Sequence, residues 1–268
     1  MPIYRIRDGI QQLANNQEIF EKCFNILKKG ETLMIFPEGS HDKKRTVRLL
    51  SKGFTRIVFG ALEKYKNLEI MVIPVGITYQ HPSHFPAKVC VNYGQPIATR
   101  NIFEENTSAK AINILKEAVT KQLKELTVHI PNDENYETIL QQLNDAQVDF
   151  THVDKVNKMI KNGRIPQEKR EKNNHLKPLL YLIVLNNIIP YFIWKKAAKR
   201  IDEIEFIDTF RFSLNLGLVA FFLGLKTWLI ATFYGLLVGS LYLTISALMI
   251  LIYAKCAPTN AKTHRELM

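Results

Sequence analysis

The chain of 268 residues has few cysteines, and the three present lie far apart. Cys23, Cys90 and Cys256 form no CxxC pair and no cluster with histidine, so the sequence indicates neither a metal site nor a disulfide framework. The opening residues also lack the apolar run behind a basic start that marks a secretory signal. These absences favour a reducing compartment.

Acidic residues are in the minority, and the formal net charge is +11. This excess predicts an anionic partner: nucleic acid, a membrane surface or a phosphorylated substrate. The sequence has no recognised nucleic-acid-binding motif and no interleaving of basic with aromatic residues. Most of the charge precedes Lys177, whereas most of the continuous apolar sequence follows it. We therefore expect membrane lipid as a partner and no nucleic acid.

The first part of the chain mixes helical and strand patterns. The helical patterns cover residues 10–29, about 54–64 and about 108–125. The strand patterns cover residues 32–36, 70–77 and 88–93. Helix and strand in this order predict an α/β domain with at least one parallel pairing. Residues 131–177 follow as a less regular helical segment that ends in a polar, basic linker.

Residues 213–253 are long and apolar enough for two membrane spans joined by a tight turn near Thr232–Gly235. The run from Trp228 to Tyr253 contains no charge, which argues against buried helices of a soluble protein. Lys226 is expected near the far interface, where its long side chain can reach the polar head groups.

The apolar stretch 178–194 is interrupted by Asn186, Asn187 and Pro190. If it spans the membrane, the Lys/Arg-rich loop 195–211 lies opposite the amino-terminal domain, against the preference of short basic loops for the cytoplasm. If it lies at the interface or re-enters, the domain, the loop and the tail 257–268 all stay cytoplasmic. We favour the second arrangement, a membrane-associated region at 178–256 with its domain on the cytoplasmic face.

Residues Phe36 to Ser40 read FPEGS, a turn that ends a predicted strand. Such a turn places a carboxylate and a hydroxyl at the carboxyl end of a strand, where open α/β sheets bind ligands. A basic cluster able to neutralise a phosphate follows directly and comprises Lys43, Lys44, Arg45 and Arg48. Taken alone, a turn of this kind is more often structural than functional.

Together with two neighbouring blocks, this segment resembles the FPEG(T/S) motif of the glycerophospholipid acyltransferase family. Pro2 to Arg5 is similar to the family's second block, whose arginine contributes to glycerol-phosphate binding. Val72 to Ile77 is similar to the fourth, a strand near the acyl-binding surface. The extension Ser40-His41-Asp42 resembles the branch that acylates glycerol 3-phosphate or dihydroxyacetone phosphate. The resemblance covers roughly residues 1–100.

The resemblance implies an acyltransferase domain over residues 1–130, with a sheet and flanking helices like those of glycerol-3-phosphate acyltransferases. It implies acyl transfer from acyl-CoA or acyl-carrier protein to a hydroxyl of lysophosphatidate or glycerol 3-phosphate, without a metal or redox cofactor. The substrate-binding residues carried over are Arg5, Glu38, Gly39, Ser40, Lys43, Lys44 and Arg45.

One departure concerns the family's first block, a His-X4-Asp motif whose histidine is the general base for the substrate hydroxyl. It should precede the arginine block, which here begins at residue 2. His129 has an acidic residue at the matching distance, Glu134, but in the wrong place, and His41 is adjacent to its Asp42. The simplest interpretation is that Met1 is an internal methionine of a longer protein, so we expect this chain to be inactive or nearly so. The alternative is a non-catalytic, membrane-anchored binder of acidic lipids.

Overall fold

The computed structural model describes residues 15–39, 42, 44–81, 88–166, 175–201 and 206–257. The chain divides into two compact units. The first comprises Met1–Thr78, Cys90–Asn132 and Val153–Lys158. The second comprises Tyr79–Val89, Asp133–His152 and Met159–Met268.

The first unit contains four whole helices: α1 (Asn15–Lys28), α2 (Gly53–Lys64), α3 (Arg100–Glu104) and α4 (Ser108–Leu126). It also contains the beginning of the helix Val153–Asn162. The predicted helices at 54–64 and 108–125 are confirmed, and the one at 10–29 is confirmed from Asn15 onward. Apolar residues recur at helical spacing on α2 and α4, and these faces form the core. Fully buried members include Ala61, Leu62, Ala111 and Leu115.

The strands form two two-stranded sheets. Strand β1 (Met71–Val72) pairs antiparallel with β4 (Ile97–Ala98). Strand β2 (Val75–Tyr79) pairs with β3 (Val89–Tyr93). The backbone N–H of Gly94 donates to the carbonyl of Pro74 at 2.8 Å, and that of Gln80 donates to Lys88 at 2.8 Å, so this pair is also antiparallel. The predicted parallel pairing is therefore not found among the described residues.

Two predicted strands differ from the structure. The run 70–77 is divided into β1 and β2 because Pro74 has no N–H to donate to a ladder. Residues 32–36 form no strand, although Leu33 and Ile35 pack on the core and Phe36 is 72% exposed. The alternation of a strand is present, but no described strand lies beside it to complete a ladder.

The second unit is helical beyond the β2–β3 turn. Its chain contains α5 (Tyr136–Asp145), the end of α6 (Val153–Asn162), α7 (Lys177–Asn186), α8 (Ile188–Ala198), α9 (Ile207–Tyr234) and α10 (Leu236–Cys256). Helices α9 and α10 are long and apolar enough to cross a membrane, and they pack on each other. The turn between them is Gly235, inside the predicted Thr232–Gly235. The two predicted helices and the turn between them are thus found, with the first helix starting six residues before 213.

Helices α7 and α8 are bent by 89° at a break around Asn187. In a continuous helix the Asn186 carbonyl would accept from residue 190, but Pro190 has no N–H. Lys226 of α9 donates to this carbonyl through its Nζ instead. The Asn186 side chain accepts a hydrogen bond from the Tyr242 hydroxyl at 2.7 Å and lies 3.2 Å from the Ser246 Oγ of α10. A polar cluster therefore holds the break between α7 and α8.

Candidate functional site

The turn after Phe36 is held by backbone and side-chain contacts. The Pro37 carbonyl accepts from the N–H of Ser51 at 2.8 Å, and the Glu38 carboxylate pairs with the Arg48 guanidinium at 3.2 Å. Gly39 has φ of +78°, a left-handed conformation that costs a side-chain-bearing residue free energy. The turn therefore needs glycine at this position, and Glu38 is neutralised by a member of the predicted basic cluster.

The basic segment, residues 44–48, runs beside residues 129–132. The N–H of Ile130 donates to the Arg45 carbonyl at 2.7 Å, and the Thr46 hydroxyl donates to the Ile130 carbonyl at 2.7 Å. The Lys44 Nζ donates to the Asn132 Oδ1 at 2.8 Å. These contacts join residues more than eighty positions apart, and no local pattern in the sequence indicated them. The segment is thus a fixed cationic strip.

His129 supports this strip. Its Nδ1 accepts a hydrogen bond from the backbone N–H of Val47 at 3.0 Å, and its own N–H donates to the Asn157 Oδ1 at 3.0 Å. An imidazole whose Nδ1 is an acceptor carries its hydrogen on Nε2 when neutral. Nε2 then has no lone pair with which to take a proton from a substrate hydroxyl. The geometry assigns His129 to positioning the basic segment and removes it as a general base.

Acidification should loosen the basic segment through His129. Burial, with Lys124 adding to it, lowers the pKa of His129 below its ordinary value. A lowered pKa means that the folded state favours the neutral ring, so its contribution is complete above about pH 6.5 and is lost as the pH falls below that value. We expect thermal stability to decline more steeply on acidification in the wild type than in His129→Asn, whose Oδ1 accepts at any pH. Parallel slopes would contradict this role.

The outer face of the β2–β3 hairpin is apolar, and its inner face is small or polar. Exposed members in the first unit are Val75, Ile77, Val91 and Tyr93. On the opposite face, Gly76 and Thr78 are buried, and the Asn92 amide donates to the Leu126 carbonyl at 2.9 Å. Exposed apolar patches of this kind mark sites for lipid, ligand or protein. We call these four residues the apolar sheet face.

The structure describes four of the seven predicted substrate-binding residues. Glu38 and Gly39 lie in the turn, and Lys44 and Arg45 lie in the basic segment; Lys44 is exposed and Arg45 half-buried. Arg5, Ser40 and Lys43 lie outside the described residues, as does His41. The sequence missed His129 and Asn132 as supports of the segment, since nothing but their positions in space connects them to it.

Comparisons with known proteins find similarity to acyltransferases. Residues 1–78 match the family model described as Acyltransferase. The chain is 24% identical over 127 residues to glycerol-3-phosphate O-acyltransferase 1 of Saccharomyces cerevisiae, an alignment covering 46% of this chain and 16% of that protein. Glycerol-3-phosphate O-acyltransferase 2 of the same yeast is also 24% identical, over 47% of this chain and 17% of that protein.

An uncharacterized acyltransferase of Schizosaccharomyces pombe is 26% identical over 51% of this chain and 20% of its own length. The aligned segments thus span a fifth or less of each of these relatives. No solved structure is significantly similar to the chain.

Proposed function

We propose that the chain is a member of the glycerophospholipid acyltransferase family and forms the substrate-binding part of an O-acyltransferase of phospholipid biosynthesis. Its match to the Acyltransferase model over residues 1–78 and its similarity to two yeast glycerol-3-phosphate O-acyltransferases support this proposal. The reaction would move a fatty acyl group from the thioester of acyl-CoA or acyl-carrier protein to a hydroxyl of glycerol 3-phosphate or lysophosphatidate. The thioester supplies the driving force, so no metal or redox cofactor is needed. The observation that carries the proposal is the fixed basic segment beside the Pro37–Gly39 turn, within the matched residues.

The acceptor phosphate would bind at the basic segment. Lys44 is exposed and its Nζ is held by Asn132, whereas Arg45 is half-buried and its backbone carbonyl accepts from the N–H of Ile130. A preorganised cationic site spends less free energy on ordering side chains when the phosphate binds. Glu38 keeps its charge paired with Arg48 and so repels the phosphate less than an isolated carboxylate would.

The acyl chain would lie against the apolar sheet face. That face continues the strand block at Val72–Ile77, and its side chains stay exposed although apolar. Burying a methylene group is worth about 0.8 kcal/mol, so even partial cover of a long acyl chain gives substantial binding. Residues 126–129 connect the hairpin to the basic segment, because Leu126 packs at Gly76 on the inner face of β2 and His129 binds Val47.

We propose that none of the histidines of this chain acts as the general base. None of the seven histidines has an aspartate at the His-X4-Asp distance, and the hydrogen bond from Val47 occupies Nδ1 of His129. A glycerol hydroxyl is a poor nucleophile until a base takes its proton. We therefore expect binding of acceptor and donor with negligible turnover by this chain, and robust turnover would refute this part of the proposal.

The acceptor site can be tested by equilibrium binding of glycerol 3-phosphate to the detergent-solubilised chain. We expect Lys44→Gln and Arg45→Gln each to weaken binding by about tenfold, the equivalent of one charged phosphate contact of about 1.4 kcal/mol. Lys110→Gln makes the same charge change near the amino end of α4, the end far from residues 126–132, and should bind like the wild type. Equal loss in all three variants would reduce the effect to net charge, and no loss in the first two would refute the site.

The alternative, a non-catalytic binder of acidic lipids, is favoured by the lack of a His-X4-Asp motif. It predicts that anionic vesicles bind while soluble glycerol 3-phosphate and acyl-CoA do not. The proposed acyltransferase function predicts saturable binding of both soluble ligands. Measuring vesicle binding and soluble-ligand binding on one preparation separates the two functions.

We place the chain in the membrane with α9 and α10 as spans and the α7–α8 pair as a re-entrant element. The 89° bend and the polar cluster at Asn186 support this arrangement, since exposed backbone is tolerated at membrane depth only when protein covers it. The first unit, the loop after α8 and the tail then share one side, the cytoplasmic one.

The native Cys256 tests this arrangement directly. It is exposed at the end of α10, on the domain side if α7–α8 re-enters and on the opposite side if that pair spans. With Cys23 and Cys90 replaced by serine, we expect a membrane-impermeant maleimide to label Cys256 from the same side as a Ser108→Cys reporter on α4. Labelling from opposite sides would establish three spans.

A further inference from the structure

A cavity of about 610 Å³ lies between the end of α8 and the start of α9. Its apolar lining comprises Trp194, Ala197, Ile201, Phe206, Phe210 and Leu214. Phe206, Phe210 and Leu214 repeat every four residues, so one face of α9 forms a wall of the cavity. The volume falls in the range of about 300–1,000 Å³ that ligand sites occupy.

One charged side chain, Arg200, completes the lining. It follows the end of α8, where Lys195, Lys196 and Lys199 are also exposed. Lys195 lies 5.2 Å from the ring centre of Tyr191, so it is directed back along its own helix. Asp208 of α9 is engaged with Arg211 three residues later. Among the described residues, Arg200 is therefore the cation that lines the cavity.

We propose that this cavity is a phospholipid site that takes one acyl chain among the apolar residues and pairs the head-group phosphate with Arg200. An apolar cavity with a guanidinium in its lining matches an anionic lipid, whose acyl chain is apolar and whose phosphate is negatively charged. The preferred occupant is a phosphatidic acid of the surrounding bilayer, whose terminal phosphate is open to a bidentate arginine contact. The inference depends on the proposed membrane placement and not on acyl transfer.

The two tryptophans make the test specific. Trp194 lines the cavity, whereas Trp228 is 62% exposed on α9 and would face bulk lipid in the proposed membrane placement. In Trp228→Phe, reconstituted in vesicles with a small fraction of acyl-brominated lipid, bromine quenching reports lipid at Trp194. We expect brominated phosphatidic acid to occupy this site about fivefold more effectively than brominated phosphatidylcholine, the preference of roughly one phosphate–arginine contact.

Matched variants decide whether the cavity causes the preference for phosphatidic acid. Arg200→Gln should abolish the preference, while Lys199→Gln, with the same change of charge one residue away, should retain it. In Trp194→Phe, the remaining Trp228 should be quenched equally by both lipids. Equal quenching of Trp194 by both lipids, or a preference that survives Arg200→Gln, would overturn the site. Failure of either lipid to quench Trp228 would instead overturn the membrane placement on which the site depends.

Discussion

Replacing Gly76 with alanine is expected to destabilise the first unit by about 3 kcal/mol, at the upper end of what overpacking a core costs. Gly76 lies on the inner face of β2, against the last residue of α4. A Cβ at this position would meet the Leu126 carbonyl oxygen at 2.4 Å and the Leu126 Cβ at 2.7 Å. Because one of these atoms belongs to the backbone, the clash cannot be relieved by a side-chain rotation.

The effect should extend to the candidate site. Residues after Leu126 hold the basic segment through His129 and Ile130. A helix end pushed away from β2 would shift these partners, so we expect Gly76→Ala to weaken glycerol 3-phosphate binding as well as stability. Gly53→Ala, where the added Cβ finds its nearest neighbour at 3.7 Å, should change neither by much.

The reactivity of the Cys23 thiol measures the thermal stability of the first unit. Cys23 is buried in the first unit against Ile57, and burial raises the pKa of its thiol, so it reacts slowly while the unit is folded. With Cys90 and Cys256 replaced by serine, brief thiol labelling at increasing temperature gives a melting midpoint. About 3 kcal/mol corresponds to a fall of roughly 6–12 °C for a unit of this size. A midpoint for Gly76→Ala equal to that of Gly53→Ala would show that α4 moves aside at no cost.

The sequence predicted the elements whose pattern is local. The amphipathic periods of α2 and α4, the strand before Gly94 and the turn at Gly235 can all be read within windows of a few turns. The pairing of strands, by contrast, depends on residues distant in the sequence. The run at 32–36 has the alternation of a strand, yet a ladder requires a neighbour that its own residues do not specify. The division at Pro74 was readable, because a missing N–H interrupts any ladder.

Prediction of the candidate site from the sequence has the same limit. Its turn was found from the FPEGS residues, and the cationic character of residues 44–48 was found from composition. What holds that segment is a second strip of chain more than eighty residues later, with an asparagine and a histidine among many polar residues of the domain. Only contact in three dimensions separates Asn132 and His129 from the others. The same holds for Lys226, because nothing in its local sequence indicated that its Nζ would bind the Asn186 carbonyl.

Replacing Pro190 with alanine is expected to convert the α7–α8 pair from a re-entrant element into a membrane span. Alanine restores the N–H that the Asn186 carbonyl lacks, and removing proline from a helix interior is worth about 3 kcal/mol or more. A continuous helix over α7 and α8 would have about 22 residues and a length of about 33 Å, enough to cross the hydrocarbon layer. The loop after α8 would then lie on the far side of the membrane.

Two forces oppose this change, and the first can be removed by substitution. Lys226 competes for the Asn186 carbonyl from α9, so Pro190→Ala with Lys226→Met should shift the equilibrium further than Pro190→Ala alone. The basic residues after Trp194 resist transfer across the membrane, so the single variant should give a mixture of two topologies. Pro178→Ala is the matched control. Pro178 lies in the first turn of α7, where the N–H of the introduced alanine would have no helical partner.

Cys256 reports the outcome, because adding a span reverses the direction of α9 and α10 and moves the end of α10 to the other side. We expect maleimide labelling from the domain side to be complete in the wild type and in Pro178→Ala. It should fall in Pro190→Ala and fall further in Pro190→Ala with Lys226→Met. Unchanged labelling in the double variant would mean that the bend is imposed by packing on α9 and α10 rather than by the missing hydrogen bond. An equal shift in Pro178→Ala would mean that any gain in helix propensity suffices, and the polar cluster at Asn186 would then have no part in setting topology.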